Sequence, residues 1–305
     1  MAFIQTLRTS FLIATLLCSA NVFANDSSIG DDNGTITFKS QPNISMDKES
    51  LLISEQQIQV DYVFTNTSQK DLTVPIAFPM PPMYFGYSDH GEITDFKLWV
   101  DGKPLKTARK LVVLLDGTAD VSKKVAEYGW SEKELINFLS DHEAAPPKGK
   151  KPLPKAWFDK DGEPRITLNE YFIWQQSFPA GKSVSIKHSY SPSISTGVPQ
   201  PASYLIQDYA KATCLDKGSQ LEMKKREREY GLSWACVSYI LMTANNWQGA
   251  IKDFTLTVKK QNPKDMVSLC FDGELKKTDP LTFTFHQQNY KPIHDLSLLF
   301  IRKPE

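Results

Sequence analysis

Five histidines, a few paired carboxylates and a handful of cysteines are the side chains here whose chemistry operates near neutral pH. Asp89-His90 with Glu92 forms a polar knot that could ligate a metal or exchange protons as acid and base. Its place just after a proline-rich stop favours the plainer reading of an exposed turn. Asp141-His142-Glu143 follows a helical stretch, where a cation is favoured by the helix macrodipole, so a structural role accounts for it. His188 stands apart because it falls on the apolar phase of an alternating stretch, Val184, Ile186, His188 and Tyr190. A histidine there is ordinarily a core residue satisfied by a hydrogen bond; a catalytic base is the sharper alternative. His286 completes the five, and His294-Asp295 near the last strand has no identifiable partner in sequence.

Nucleophile signatures are missing: there is no GxSxG, and no SxxK within a plausible active-site framework. Gly-rich phosphate loops are absent as well, so no cofactor is expected. Beyond Cys18 the cysteines are Cys214, Cys236 and Cys270, with no CxxC or HxxxH spacing to suggest a metal site. In an oxidising compartment one pair is expected to bridge and one thiol to remain, and three pairings are open.

The elements that must position these residues are mostly strands. Ile58, Val60, Tyr62 and Phe64 alternate with Gln57, Gln59 and Asp61, which predicts a strand with one buried face. Asn66-Thr67-Ser68 breaks it. Leu72 to Phe78 resumes, and Pro79, Pro81 and Pro82 stop that strand. Phe96, Leu98 and Val100 alternate again, up to the hairpin-turn pair Asp101-Gly102. Residues 117–155 change character: Asp120 and Ser131 can cap short helices, and Ser131 with Glu134 has capping-box spacing. Ala144 to Lys155 is rich in proline and lysine and reads as an exposed, extended linker. Strands return at Arg165, residues 204–230 look partly helical, and the last third is again strands. Most of the six tryptophans read as core or strand-edge packing. Trp130 and Trp157 flank the helical insertion and the linker, and are expected to be exposed and to serve a partner surface. Asn33, Asn43 and Asn66 head formal glycosylation acceptors, read here as turn residues.

Residues 1–24 have the charged, apolar, small-residue order of a secretory leader: Arg8, then Phe11 to Cys18, then Val22-Phe23-Ala24. The apolar run is far shorter than the roughly 20 residues needed to span a bilayer. Leu17 before Cys18 is too large for a lipidation site. Cleavage is expected between Ala24 and Asn25, giving a periplasmic or secreted product. Removing one Arg from 35 basic and 35 acidic residues leaves 34 and 35, a net charge of −1. That balance argues against a nucleic-acid or anionic-membrane surface.

Several strings, taken in order, resemble the bacterial exported family known as domain of unknown function 4424 across essentially the whole mature chain. They are Asn25-Asp26-Ser27-Ser28, Leu52-Ile53-Ser54, Tyr62 to Ser68, Ala77 to Pro81, Trp174 to Gly181, His188 to Pro192, Tyr239-Ile240-Leu241, Asn246-Trp247 and Ser268 to Phe271. The resemblance implies a Cys214–Cys270 bridge, with Cys236 left as a buried thiol in a strand. It implies no activity. Val60 to Val100 also resembles, more weakly, the VIT module of inter-α-trypsin inhibitor heavy chains, an interaction β-sandwich; that likeness is at fold level only.

The expectation is a mainly β protein, an antiparallel β-sandwich or sandwiches with helical insertions near 117–145 and 204–230. A leader (1–24) precedes an N-terminal β portion (25–116), the insertion and linker (117–155), and a C-terminal β portion (156–305) that completes one domain or forms a second. The expected function is non-catalytic binding of an envelope protein or glycan. The alternative is a periplasmic hydrolase or metal-dependent enzyme using His188 or the Asp89-His90-Glu92 loop.

Overall fold

A computed structural model describes residues 27–32, 35–80, 82–85, 93–140 and 145–302. The first strands are β1 (Ser27–Asp32), β2 (Thr35–Phe38), β3 (Gln41–Ile53), β4 (Ile58–Asn66) and β5 (Leu72–Pro79). Next come β6 (Met83–Tyr84), β7 (Thr94–Val100), β8 (Lys103–Leu105), β9 (Ala108–Leu115) and β10 (Ala119–Asp120), leading to helices α1 (Ser122–Glu127) and α2 (Glu132–Ser140). Strands β11 (Ile166–Phe178), β12 (Ser183–Ser191) and β13 (Ile194–Thr196) precede helices α3 (Ala202–Tyr209) and α4 (Lys217–Arg226). The remaining strands are β14 (Trp234–Tyr239), β15 (Trp247–Gln248), β16 (Ile251–Lys259), β17 (Met266–Leu269), β18 (Lys276–Lys277), β19 (Thr282–Tyr290) and β20 (Leu296–Ile301).

These form three sheets. The largest runs β18-β19-β16-β3-β4-β12-β7-β8, with β15 also on β3. A second runs β10-β9-β11-β5-β1-β2, with β6 on β11, and a third runs β13-β14-β20-β17. The pairings are antiparallel with two exceptions: β15 and β16 each lie parallel to β3. The architecture is therefore mainly β, with the α-helices of the described residues in the two anticipated insertions.

Period-two alternation puts Ile58, Val60, Tyr62 and Phe64 of β4 on the buried face, beside Val184, Ile186, His188 and Tyr190 of β12. In β3 the phase is reset by a bulge at Asp47: Ile44 and Met46 are buried before it, Glu49, Leu51 and Ile53 after it. The inner face meets β5 and β11 of the second sheet and β14 and β20 of the third in one hydrophobic core. Fully buried side chains such as Phe64, Phe78 and Phe254 each contribute about 1.5–3 kcal/mol through removal from water.

The first helical insertion has a core of its own, built from Val125, Trp130, Leu135, Leu139, Leu153 and Trp157 against Val113, Ile166 and Leu168. Two expectations change here. Trp130 and Trp157 are 5% and 4% exposed, so they are not a partner surface. Their rings fill the space between the helices and the β9–β11 pair, and Trp130 Nε1 donates to the Lys151 carbonyl at 2.7 Å. For the same reason 145–155 is not a free linker, since Leu153 is pinned in that core. The capping box at α2 does form: Glu134 Oε2 accepts from the amide and hydroxyl of Ser131 at 2.8 and 2.7 Å.

Cys214 and Cys270 are joined, tying the α3–α4 connection to the residue after β17. Across a 56-residue separation, the lost freedom of the unfolded chain corresponds to about 4 kcal/mol. Cys236 is a buried thiol on β14, outside the bridge. β14 stops at Tyr239, short of the anticipated Met242. Asp295 Oδ1 accepts from the amides of Leu241 and Met242, both at 2.9 Å, and turns the chain into a short 3-10 segment.

Candidate functional site

His188 is completely buried. Its ring lies 5.6 Å from those of Tyr62 and Phe96, 5.4 Å from Phe78 and 6.0 Å from Trp174, mostly edge-on. Nearby, the Tyr62 and Tyr239 hydroxyls share a hydrogen bond of 3.1 Å. Its place is that of a polar member of the core. Asp89, His90 and Glu92 lie outside the described residues, as does His142. His286 is paired with Asp253 at 2.8 Å and His294 with Asp272 at 3.1 Å, both on the surface. Among the described residues no group of three or more His, Cys, Asp or Glu side chains could hold a metal ion. The acceptor asparagine Asn66 is buried: Nδ2 donates to the carbonyls of Lys70 and Phe178, and Oδ1 accepts from the Ser68 amide, all at 2.8–2.9 Å.

The same three strands that bury His188 turn a different set of side chains outward. Register places Asp61, Lys187, Trp99 and Pro104 in one row across β4, β12, β7 and β8. Gln59, Ser189 and Lys97 make the next row. From Asp61 to Trp99 is two strand spacings, about 10 Å. Apart from Pro104, the rows line a shallow depression of about 600 Å³, together with Gln57, Ser185 and Gly102.

Its polar groups are held in place by one another. Gln59 Nε2 donates to Asp61 Oδ2 at 2.8 Å, and Gln57 Nε2 donates to Ser189 Oγ at 2.8 Å. Lys187 Nζ sits 3.7 Å from Asp61 Oδ1 and 5.9 Å from the Trp99 ring centroid, within cation–π range. The hairpin below is tight: Asp101 and Gly102 both have positive φ, and Asp101 Oδ1 accepts from the Ser185 amide at 2.9 Å. Trp99 is thus a half-buried aromatic on a rigid strand, surrounded by amide, hydroxyl, carboxylate and ammonium groups. Such a face offers a flat apolar surface together with both donors and acceptors.

Sequence reading assigned tryptophans such as Trp99 to packing and so missed this face. The signal was available in the phase: if Phe96, Leu98 and Val100 point inward, Lys97 and Trp99 point outward. What the phase could not supply was the register that brings Asp61, Lys187 and Trp99 into one row.

A family model described as Domain of unknown function (DUF4424) matches residues 24–299. No curated protein matches the chain in sequence. Among solved structures, a Legionella pneumophila protein provisionally named a nutrient-binding protein is similar, with a TM-score of 0.50 and 17% identity. The match covers 92% of this chain and 70% of that one. An M1 zinc metallopeptidase from Deinococcus radiodurans aligns with a TM-score of 0.27 and 7% identity, over 87% of this chain and 43% of that one. At these identities the Legionella likeness shows shared fold alone.

Proposed function

The chain belongs to the DUF4424 family, and from that premise we propose that it is a non-catalytic binding protein, exported from the cytoplasm, whose outer sheet face takes a glycan. The observation that supports this reading is Trp99, half-exposed at the centre of a polar depression and flanked by Asp61, Gln59, Ser189 and the two lysines. A sugar presents an apolar patch of C–H groups ringed by hydroxyls that both donate and accept. The Trp99 face meets the first, and the amide, serine and carboxylate groups meet the second. A protein partner would call for several apolar anchors at the centre of the patch, and here there is one aromatic ring. Mounting the groups on paired strands keeps them in place before the ligand arrives, which lowers the cost of binding.

The disulfide is of a kind that persists in oxidising compartments, and no described helix is long and apolar enough to cross a membrane. Both fit an extracytoplasmic address, while residues 1–24 lie outside the described residues. The Legionella relative's provisional name is compatible with small-ligand binding in the same fold.

The test begins with protein recovered from osmotic-shock fluid, expected to start at Asn25. It is screened against an array of envelope and plant glycans, and hits are measured by calorimetry. A saturable hit should weaken at least about tenfold in Trp99→Ala, the loss of one aromatic platform of about 1.5 kcal/mol or more. An array with no hits, or a hit that Trp99→Ala binds as tightly as the parent, would overturn the proposal.

A further inference from the structure

A second depression, of about 660 Å³, lies between the end of α4 and the loop joining β16 to β17. Five cationic side chains line it, Lys225, Arg226, Arg228, Lys260 and Lys264, against two carboxylates, Glu222 and Asp265. This is a local excess of positive charge in a chain whose formal net charge is zero. Both carboxylates are already engaged. Glu222 Oε1 accepts from Arg226 Nε at 2.8 Å, and Asp265 Oδ2 accepts from the Asn262 amide at 2.9 Å. The second arm of Arg226 donates to the Lys264 carbonyl, which joins the helix to the loop.

Lys260 lies at the edge of the core. It is 6% exposed, and its Nζ donates to the carbonyls of Pro263 and Asp265 at 2.9 and 2.7 Å, 5.6 Å from the Phe283 ring. Carbonyl oxygens solvate an ammonium but do not cancel its charge. Burial is the main cause that pushes this ammonium below its ordinary value; Lys277 and Arg226 add to it and Asp265 opposes it. Lysines on the last turn of a helix are common, because they answer the macrodipole. That accounts for Lys225 and Arg226. It does not account for Arg228, Lys260 and Lys264, which approach the same space from outside the helix. Among the described residues Arg228 and Lys264 make no ion pair, and Lys225 lies in the field of Glu222, whose carboxylate is already bound to Arg226.

We propose that this cationic pocket binds a phosphate group. Several ammonium and guanidinium donors around one opening suit a compact oxyanion better than a single carboxylate, because charge-assisted bonds from Arg and Lys can share its oxygens. The group reaches the pocket either on a soluble phosphorylated compound or on a phospholipid headgroup, and two arms of one experiment distinguish them. In the first, inorganic pyrophosphate is titrated into the full mature chain by calorimetry. In the second, the chain is floated with vesicles of phosphatidylglycerol in phosphatidylcholine, and with phosphatidylcholine alone. Two variants accompany each arm, Lys225→Gln/Arg228→Gln/Lys264→Gln and the single Lys264→Glu. Lys260 is left intact because its carbonyl bonds hold the loop.

Saturable pyrophosphate binding that falls at least about tenfold in both variants and weakens with salt supports the site with a soluble source. Flotation with the anionic vesicles by the parent but not the variants supports it with a headgroup source. If neither arm shows binding, or the variants bind like the parent while circular dichroism shows them folded, the proposal is wrong.

Discussion

The two faces of the β4–β12–β7 strands carry opposite lessons about what a side chain is for. On the inner face of these strands sits His188, a chemically versatile residue packed among Tyr62, Phe78, Phe96 and Trp174. On the outer face, one residue out of phase, Trp99 is half-buried amid Asp61, Gln59 and Lys187. A catalytic residue type in the core does structural work, and a core residue type on the surface becomes the candidate for recognition. Position in the alternation, not the identity of the side chain, decides which.

The sharpest way to break that comparison is at His188. Replacing it with alanine empties a closed aromatic cage and should cost about 2–4 kcal/mol, read as a lower urea midpoint. The glycan affinity of the protein that remains folded should be unaltered. A stable His188→Ala protein that had lost binding would mean the inner face takes part in function after all.

A smaller effect is expected at the bulge in β3, on the outer side. Burial pushes the Asp47 carboxyl up, but hydrogen bonds from Lys252, Thr65 and Ser45 outweigh it and hold the group below the usual carboxylate value. A depressed folded pKa contributes stability that is complete above the unfolded value, about 3.9. That stability is lost as pH falls through the lower folded value. Asp47→Asn should therefore flatten part of the acid limb below about pH 4, by under about 1 kcal/mol given the solvent access of the pair. Urea midpoints from pH 6 down to pH 2 would check it; an unchanged acid limb would show that Asp47 has no net stabilising partner. Comparably small should be the effect of Trp99→Ala on stability, about 1 kcal/mol, the scale of one lost cross-strand contact. A loss of several kcal/mol there would recast Trp99 as packing and remove the ground for reading its face as a recognition surface.

Much of the large sheet was legible in the chain because alternation reports burial directly. Ile58 to Phe64, Val184 to Tyr190 and Phe96 to Val100 all adopt the anticipated phase, and Asp101-Gly102 makes its hairpin turn. Alternation names no partner, however, so neither the row joining Asp61, Lys187 and Trp99 nor the parallel pairing of β3 with β16 could be read from it. Trp130 and Trp157 were misjudged because their neighbours are polar and proline-rich. Their burial comes from packing between elements far apart in sequence, the short helices and the β9–β11 pair. Asp295 was unremarkable in sequence, yet it ends β14 by capping two amides more than fifty residues earlier.

The parallel pairing of β3 with β16 also bears on the order of folding. Residues 41–53 find one neighbour, β4, at once, but the other lies at 251–259. Until that segment is available, the emerging sheet carries an open edge of unpaired amides and carbonyls beside apolar side chains, a template for wrong association. The closing step must also bridge some two hundred residues, which places it among slow, topology-limited folding events. A chain built this way gains from being held unfolded until all of it is present.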